Sequence, residues 1–215
     1  MRQPVSAALL VSLIALSAFA ADPAPGPKPD VPDLGAFQVA DGERVISITL
    51  EDVFAYHGHP CPGATVTFRG MQLAARALWP DAVPQRDDIV IFSRGSMYGV
   101  LDVFALITQG PDLPKADAIS QPSPVLEAMP VSPESYAFTV VRRSTGEAIH
   151  LRVKPTLYPK EFFPLRKKAV EETATPEERR QLKQHRAKVF EKVFRRSEAE
   201  LFETPVRYRM LMFGA

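Results

Sequence analysis

Two of the four histidines and the only cysteine of this 215-residue chain fall within five positions, in Tyr56-His57-Gly58-His59-Pro60-Cys61-Pro62-Gly63. Imidazole and thiolate together suit zinc, copper and other borderline metals, and a histidine beside a cysteine suits a reactive thiol. Both chemistries are open at this segment. In the first, His57, His59 and Cys61 ligate a transition metal, zinc above all, leaving a fourth place for solvent or a distant side chain. In the second, Cys61 is a nucleophile, His57 or His59 its base, and the end of a helix stabilises the developing negative charge. Asp102 is the single charge in an apolar stretch, which makes it the first candidate for a fourth ligand or for an acid behind a ligand. The catalytic candidates are therefore Cys61, His59 and Asp102. The structural alternatives are a plain inter-helix turn for the segment and a solvated position for Asp102.

The elements that must position these residues can be read from the flanking sequence. Val45 to Ile48 is a short β-branched run, and Thr49 with Asp52 three residues later has the form of a capping box. A helix over about 50–56 follows, with Leu50, Val53 and Phe54 on one face and Gly58 as its left-handed stop. His57 then lies in the last turn. Pro62 is suited to the first position of a second helix running to about Leu78, which puts Cys61 at its N-cap, where the helix dipole favours thiolate. If the intervening loop is extended, positions two apart share a side and the three donors converge.

Asp88 to Ser93 reads as a strand whose continuous apolar centre suits an inner place in a sheet. A helix over about 98–108 carries Asp102 and is closed by Gly110-Pro111. Residues 136–143 and 148–154 flank a turn at 144–147 and form a hairpin, with Phe138, Val140, Ile149, Leu151 and Val153 on a packed face and the other face wet. His150 alternates onto the wet side. Charge-rich helices follow at 159–172 and 176–196, the second with a stripe of Leu182, Val189, Phe190, Val193 and Phe194 and a solvated outer face that includes His185. Pro205 to Phe213 reads as a closing strand. Interspersed strands and helices with no βαβ period indicate an α+β fold, a mixed or antiparallel sheet packed against helices.

Composition sets the remaining bounds. The chain is 46% hydrophobic and 24% charged, ordinary for one globular domain. Its formal charge of +1 offers no electrostatic case for nucleic acid as a partner. Arg2, the apolar run from Val5 to Phe19 and Ala18-Phe19-Ala20 have the form of a secretory signal over residues 1–20, cleaved after Ala20, too short to remain as a stable membrane insertion. Residues 21–44, with Pro23, Pro25, Pro27, Pro29 and Pro32, read as a proline-rich tether, and 45–215 as the core domain. The expected location is periplasmic or secreted. There, Cys61 has no disulfide partner in its own chain. The expected partner is a metal ion or a small molecule, and a homodimer is left open.

The segment from Tyr56 to Gly63, followed by Ala64 to Ala74, resembles the entry to the core domain of the formylmethanofuran dehydrogenase E-subunit family. The resemblance extends over about residues 45–212, through Gly99-Val100-Leu101-Asp102, the hairpin at Thr145-Gly146 and Glu200 to Glu203. It implies an α+β core with a His/Cys cluster for metal or active-site chemistry. A second cysteine frequent in that family before the aspartate is replaced here by Ser96, Met97, Tyr98 and Gly99. That departure disfavours a two-cysteine mechanism, and the lack of a cysteine-rich tail disfavours the family's carboxy-terminal zinc finger.

Overall fold

The computed structural model describes residues 33–93, 97–109 and 136–211. The signal, the whole proline series from Pro23 to Pro32, Gly110-Pro111 and the last residues of the expected closing strand lie outside the described residues. Within them are six α-helices, a two-stranded sheet and a four-stranded sheet, all pairings antiparallel, so the domain is α+β.

Two strands, β1 (Phe37–Asp41) and β2 (Arg44–Ile48), pair across Gly42, whose φ of 61° is the left-handed conformation a tight turn requires. Phe37 and Val39 alternate inward and are buried in the main core. The core therefore begins before residue 45, and residues 37–41 are strand rather than tether, because their period-two apolar pattern has a face to bury. Helix α1 (Leu50–His57) starts at Thr49 with both halves of a capping box: Thr49 Oγ1 accepts from the Asp52 N–H at 3.2 Å, and Asp52 Oδ2 accepts from the Thr49 N–H at 2.8 Å. It ends at Gly58, φ 95°.

Helix α2 (Pro62–Leu78) is the central helix, packed against α1, other helices and the larger sheet. Its first half is buried almost all round, including Thr65 and Thr67. Those hydroxyls are satisfied within the helix, Thr65 donating to Cys61 O at 2.9 Å and Thr67 to Gly63 O at 2.8 Å. Gly70 lets α2 approach the sheet: a Cβ there would lie 2.6 Å from Phe138 Cζ and 3.1 Å from Phe202 Cζ.

The larger sheet has the order β3 (Ile89–Ser93), β4 (Ala137–Arg142), β5 (Glu147–Arg152), β6 (Val206–Arg209). The apolar run of β3 thus lies at an edge, not inside as expected; Val90 and Ile91 are only partly buried and Phe92 is exposed. The hairpin has the expected packed face, with Phe138 opposite Leu151 and Val140 opposite Ile149. The other face of β4 is not wet. Ala137, Thr139 and Val141 are buried too, and Thr139 Oγ1 bonds His150 Nδ1 at 3.0 Å and accepts from Tyr208 at 3.4 Å. His150 is accordingly half-buried rather than a surface histidine. All of β6 is exposed, although it closes the sheet as anticipated.

Helix α3 (Tyr98–Thr108) is buried along most of its length. Helices α4 (Phe162–Val170), α5 (Pro176–Arg195) and the short α6 (Glu198–Leu201) follow the sheet. Helix α5 buries Leu182, Val189 and Val193 and leaves its charges outside, as amphipathic spacing requires. His185 departs from that outer face: both ring nitrogens are shielded from solvent and lack a hydrogen-bond partner among the described residues. No described helix is long and apolar enough to cross a membrane.

Candidate metal and thiol site

His57 is the last residue of α1 and Cys61 is the N-cap of α2, so the two donors are fixed by two helix ends. The loop between them is not a simple extended strand. The chain leaves the helix at His57, reverses through left-handed Gly58, bends again at His59 and is extended at Cys61, φ −136° and ψ 124°. Convergence of the side chains follows from that reversal rather than from alternation. One donor atom each from His57, His59 and Cys61 lies within 4.8 Å of the others. The imidazoles of His57 and His59 lie side by side, tilted by 38° with centroids 4.3 Å apart.

Helix α3 completes the arrangement from below. Asp102 is buried, and its Oδ2 lies 2.7 Å from His57 Nδ1, with side-chain exposures of 5% and 7%. The solvated alternative for Asp102 does not apply. One turn earlier on α3, Gly99 leaves the space that the donors occupy: a Cβ there would be 2.9 Å from Cys61 Sγ and 3.3 Å from His57 Nε2. His57 therefore turns Nδ1 to the carboxylate and Nε2 toward the sulfur. Asp102 reaches the far side of the imidazole from the cluster, which is the position of an orienting carboxylate.

The electrostatics follow from this geometry. Hydrogen bonds to Asp102 and to Cys61 raise the His57 pKa from 6.5 to about 9, against the opposing effect of burial. Burial would raise the Cys61 thiol. The His57 hydrogen bond and the N–H groups of Ala64 and Gly63 outweigh burial and bring it below its ordinary value. The two N–H groups approach the sulfur without closing a capping hydrogen bond. His59 is lowered by burial, by the neighbouring His57 and by Arg186, so its imidazole is kept neutral. Without a metal, the Cys61–His57 contact, backed by Asp102, favours the charged form of both partners, while burial and the neighbouring His57 disfavour the charged form of His59.

Several residues of this surrounding were not anticipated from the sequence. Tyr136 OH donates to Gly63 O at 2.7 Å and bonds Thr67 Oγ1 at 2.8 Å, pinning the first turn of α2 that carries Cys61. Burial holds its phenol well above the ordinary value, so it remains a donor. The Tyr158 ring lies beside it, tilted by 40° with centroids 6.2 Å apart, and Arg166 and Arg186 bring positive charge to the same region. Gly99 had one available signal, its place three residues before Asp102 on the same helical face. Tyr136, Tyr158 and the two arginines had none, being more than 70 residues from Cys61.

Residues 129–203 match the family model described as FmdE, Molybdenum formylmethanofuran dehydrogenase operon. The match covers β4, β5 and the helices α4 to α6 and excludes His57, His59, Cys61 and Asp102. No curated protein matches the chain.

Proposed function

We propose, from the premise that this chain carries an FmdE-like core domain, that it is an exported metal-binding protein whose His57, His59 and Cys61 hold a transition ion. The observation that carries the reading is the convergence of two imidazoles and a thiol, with one donor atom of each within 4.8 Å of the others. Thiol chemistry alone would use Cys61, His57 and Asp102 and leave His59 idle; a metal site uses every member. The donor set fits such an ion. Nitrogen, nitrogen and sulfur suit zinc, the Gly99 cradle supplies room, and the Asp102 contact fixes the His57 tautomer as ligating histidines generally require.

Three protein donors with a place open to solvent suit a site that exchanges or uses its ion rather than a purely structural one. When bound, zinc would supply Lewis acidity. The chain's own residues hold the geometry: Asp102 accepts from His57 Nδ1, Tyr136 secures the turn that presents Cys61, and Gly99 keeps the backbone out of the donors' space. Binding would also require His57 to give up its extra proton, so affinity should rise with pH. The sequence features of residues 1–20 support a periplasmic or secreted location.

Metal analysis of the purified protein and of Cys61→Ala tests the reading. About one equivalent of zinc or another transition metal in the first and little in the second supports it; equally low metal in both ends it.

A second reading is favoured by one observation, the continuous Cys61, His57, Asp102 chain of hydrogen bonds. It makes Cys61 a nucleophile with His57, one of the two histidines the sequence offers, as its base. His59→Ala separates the readings: metal content falls under the first, whereas alkylation of metal-free Cys61 is little changed under the second.

A further inference from the structure

Both helix starts that meet at the cluster carry sulfur. Cys61 is the N-cap of α2 and Met97 is the N-cap of α3. The two first turns are in contact, since the Cβ position of Gly99 lies 2.9 Å from Cys61 Sγ and 3.4 Å from the Ala64 nitrogen. Met97 is only 7% exposed and belongs to the packed group against which Cys61 lies. The missing side chain of Gly63 leaves a gap between the two sulfur residues. A Cβ there would have Cys61 Sγ at 3.7 Å, Met97 Cε at 3.9 Å and the Tyr136 hydroxyl at 3.9 Å, all ordinary contacts without overlap. The methyl end of Met97 therefore borders the same small space as the cysteine sulfur, and its own sulfur is the next atom along the side chain.

A buried methionine is ordinarily a core filler, and leucine fills such a place about as well. What methionine adds is a soft, polarisable sulfur. Zinc is held by cysteine, histidine and carboxylates, so a thioether adds nothing to a zinc site. Copper(I) is selected by thiolate and thioether, and two histidines with a cysteine and a weak axial methionine are a copper donor set. The nearby oxygens are engaged elsewhere: Asp102 is bonded to His57 Nδ1, and the Tyr136 hydroxyl to Gly63 O and Thr67 Oγ1. The unbranched Met97 side chain has the rotational freedom to turn its sulfur toward the gap.

We infer that Met97 is a fourth, thioether donor that makes the site of His57, His59 and Cys61 selective for copper(I). The inference rests on the reading of those three residues as metal ligands and names the ion they take in preference. With zinc the fourth place stays with solvent; with copper(I) the Met97 sulfur fills it.

Competition titrations of the full-length chain test it, with bicinchoninate for copper(I) under anaerobic conditions and a chelator for zinc. Met97→Leu keeps the volume and removes the sulfur. It should weaken copper(I) binding about tenfold and leave zinc binding within about twofold. Gly63→Ala is the second variant: its methyl enters the gap without overlap, so the fold is kept and copper(I) should weaken by a similar factor. Copper-edge X-ray absorption of the copper(I) protein should show two sulfur donors in wild type and one in Met97→Leu. Equal copper(I) affinity and an equal sulfur count in wild type and Met97→Leu overturn the inference and leave the three-donor site standing. A parallel loss of both metals in Met97→Leu also overturns it, because that reports packing around the site and not a donor. Failure of the metal reading itself is a different result, a wild-type protein that binds neither ion.

Discussion

Two glycines show how differently α2 and its surroundings are used at the two places where the backbone comes closest to its neighbours. At Gly70 the missing Cβ is replaced by the rings of Phe138 and Phe202, and helix and sheet are brought together by apolar packing. At Gly99, on the facing α3, the vacated space holds Cys61 Sγ and His57 Nε2. The same device fills one seam with hydrocarbon and the other with donors. A glycine in a packed core therefore does not by itself mark a site; what stands over it does.

Predictions can break or sharpen that contrast. The largest effect is expected at the donors themselves: exposed His59→Ala should strip the protein of stoichiometric metal while leaving its far-ultraviolet circular dichroism intact, and His57→Ala should strip it too but also lower stability, since it leaves the buried Asp102 carboxylate without its partner. Gly99→Ala should come next. Its Cβ, 2.9 Å from the sulfur and 3.3 Å from the imidazole, must displace one of them, lowering metal affinity by about 10- to 100-fold in a competitive chelator titration. Asp102→Asn should fall in that same range of about 10- to 100-fold, because the amide no longer enforces the His57 tautomer. Gly70→Ala is the converse. It should cost about 1–3 kcal/mol in urea denaturation as the phenylalanine rings give way, with metal stoichiometry unchanged. A Gly70→Ala variant that lost metal while remaining folded would erase the distinction between the two seams.

The smallest effect concerns pH. In the metal-free protein His57 has a folded-state pKa of about 9 against 6.5 unfolded, so the folded state holds its proton more tightly. The stability this contributes is complete below about pH 6.5 and is lost as pH rises through about 9. Because the lowered Cys61 thiol contributes the opposite slope over the same range, the test removes it: denaturation midpoints of metal-free Cys61→Ala should decline across that window more steeply than those of Cys61→Ala/His57→Gln. Parallel curves would contradict the hydrogen bonds assigned to this histidine.

Much of the site's scaffold was legible because its signals are local. Thr49 with Asp52, Gly58, and Pro62 after Cys61 each fix a helix end through contacts within a few residues, and all three stand where the sequence puts them. The direction of the Cys61 shift was legible for the same reason, although the His57 hydrogen bond contributes more to it than the helix end does. Elsewhere tertiary packing decided. The apolar run at Ile89 to Phe92 could not announce an edge, because strand order depends on which partner arrives from beyond residue 136. The strand from Phe37 was hidden behind a run of prolines. Tyr136 looks like an ordinary strand residue until the fold sets its hydroxyl on Gly63 O in the first turn of α2. The family match over 129–203 overlaps the resemblance at the hairpin and at Glu200 to Glu203 and leaves out the segment around His57 where the specific motif lies.

The most direct measurement of the central claim is X-ray absorption at the zinc edge of the reconstituted protein. One sulfur at about 2.3 Å and two imidazole nitrogens at about 2.0–2.1 Å, with the sulfur shell lost in Cys61→Ala, is the predicted result. A first shell of oxygen and nitrogen without sulfur, unchanged by that substitution, would contradict it.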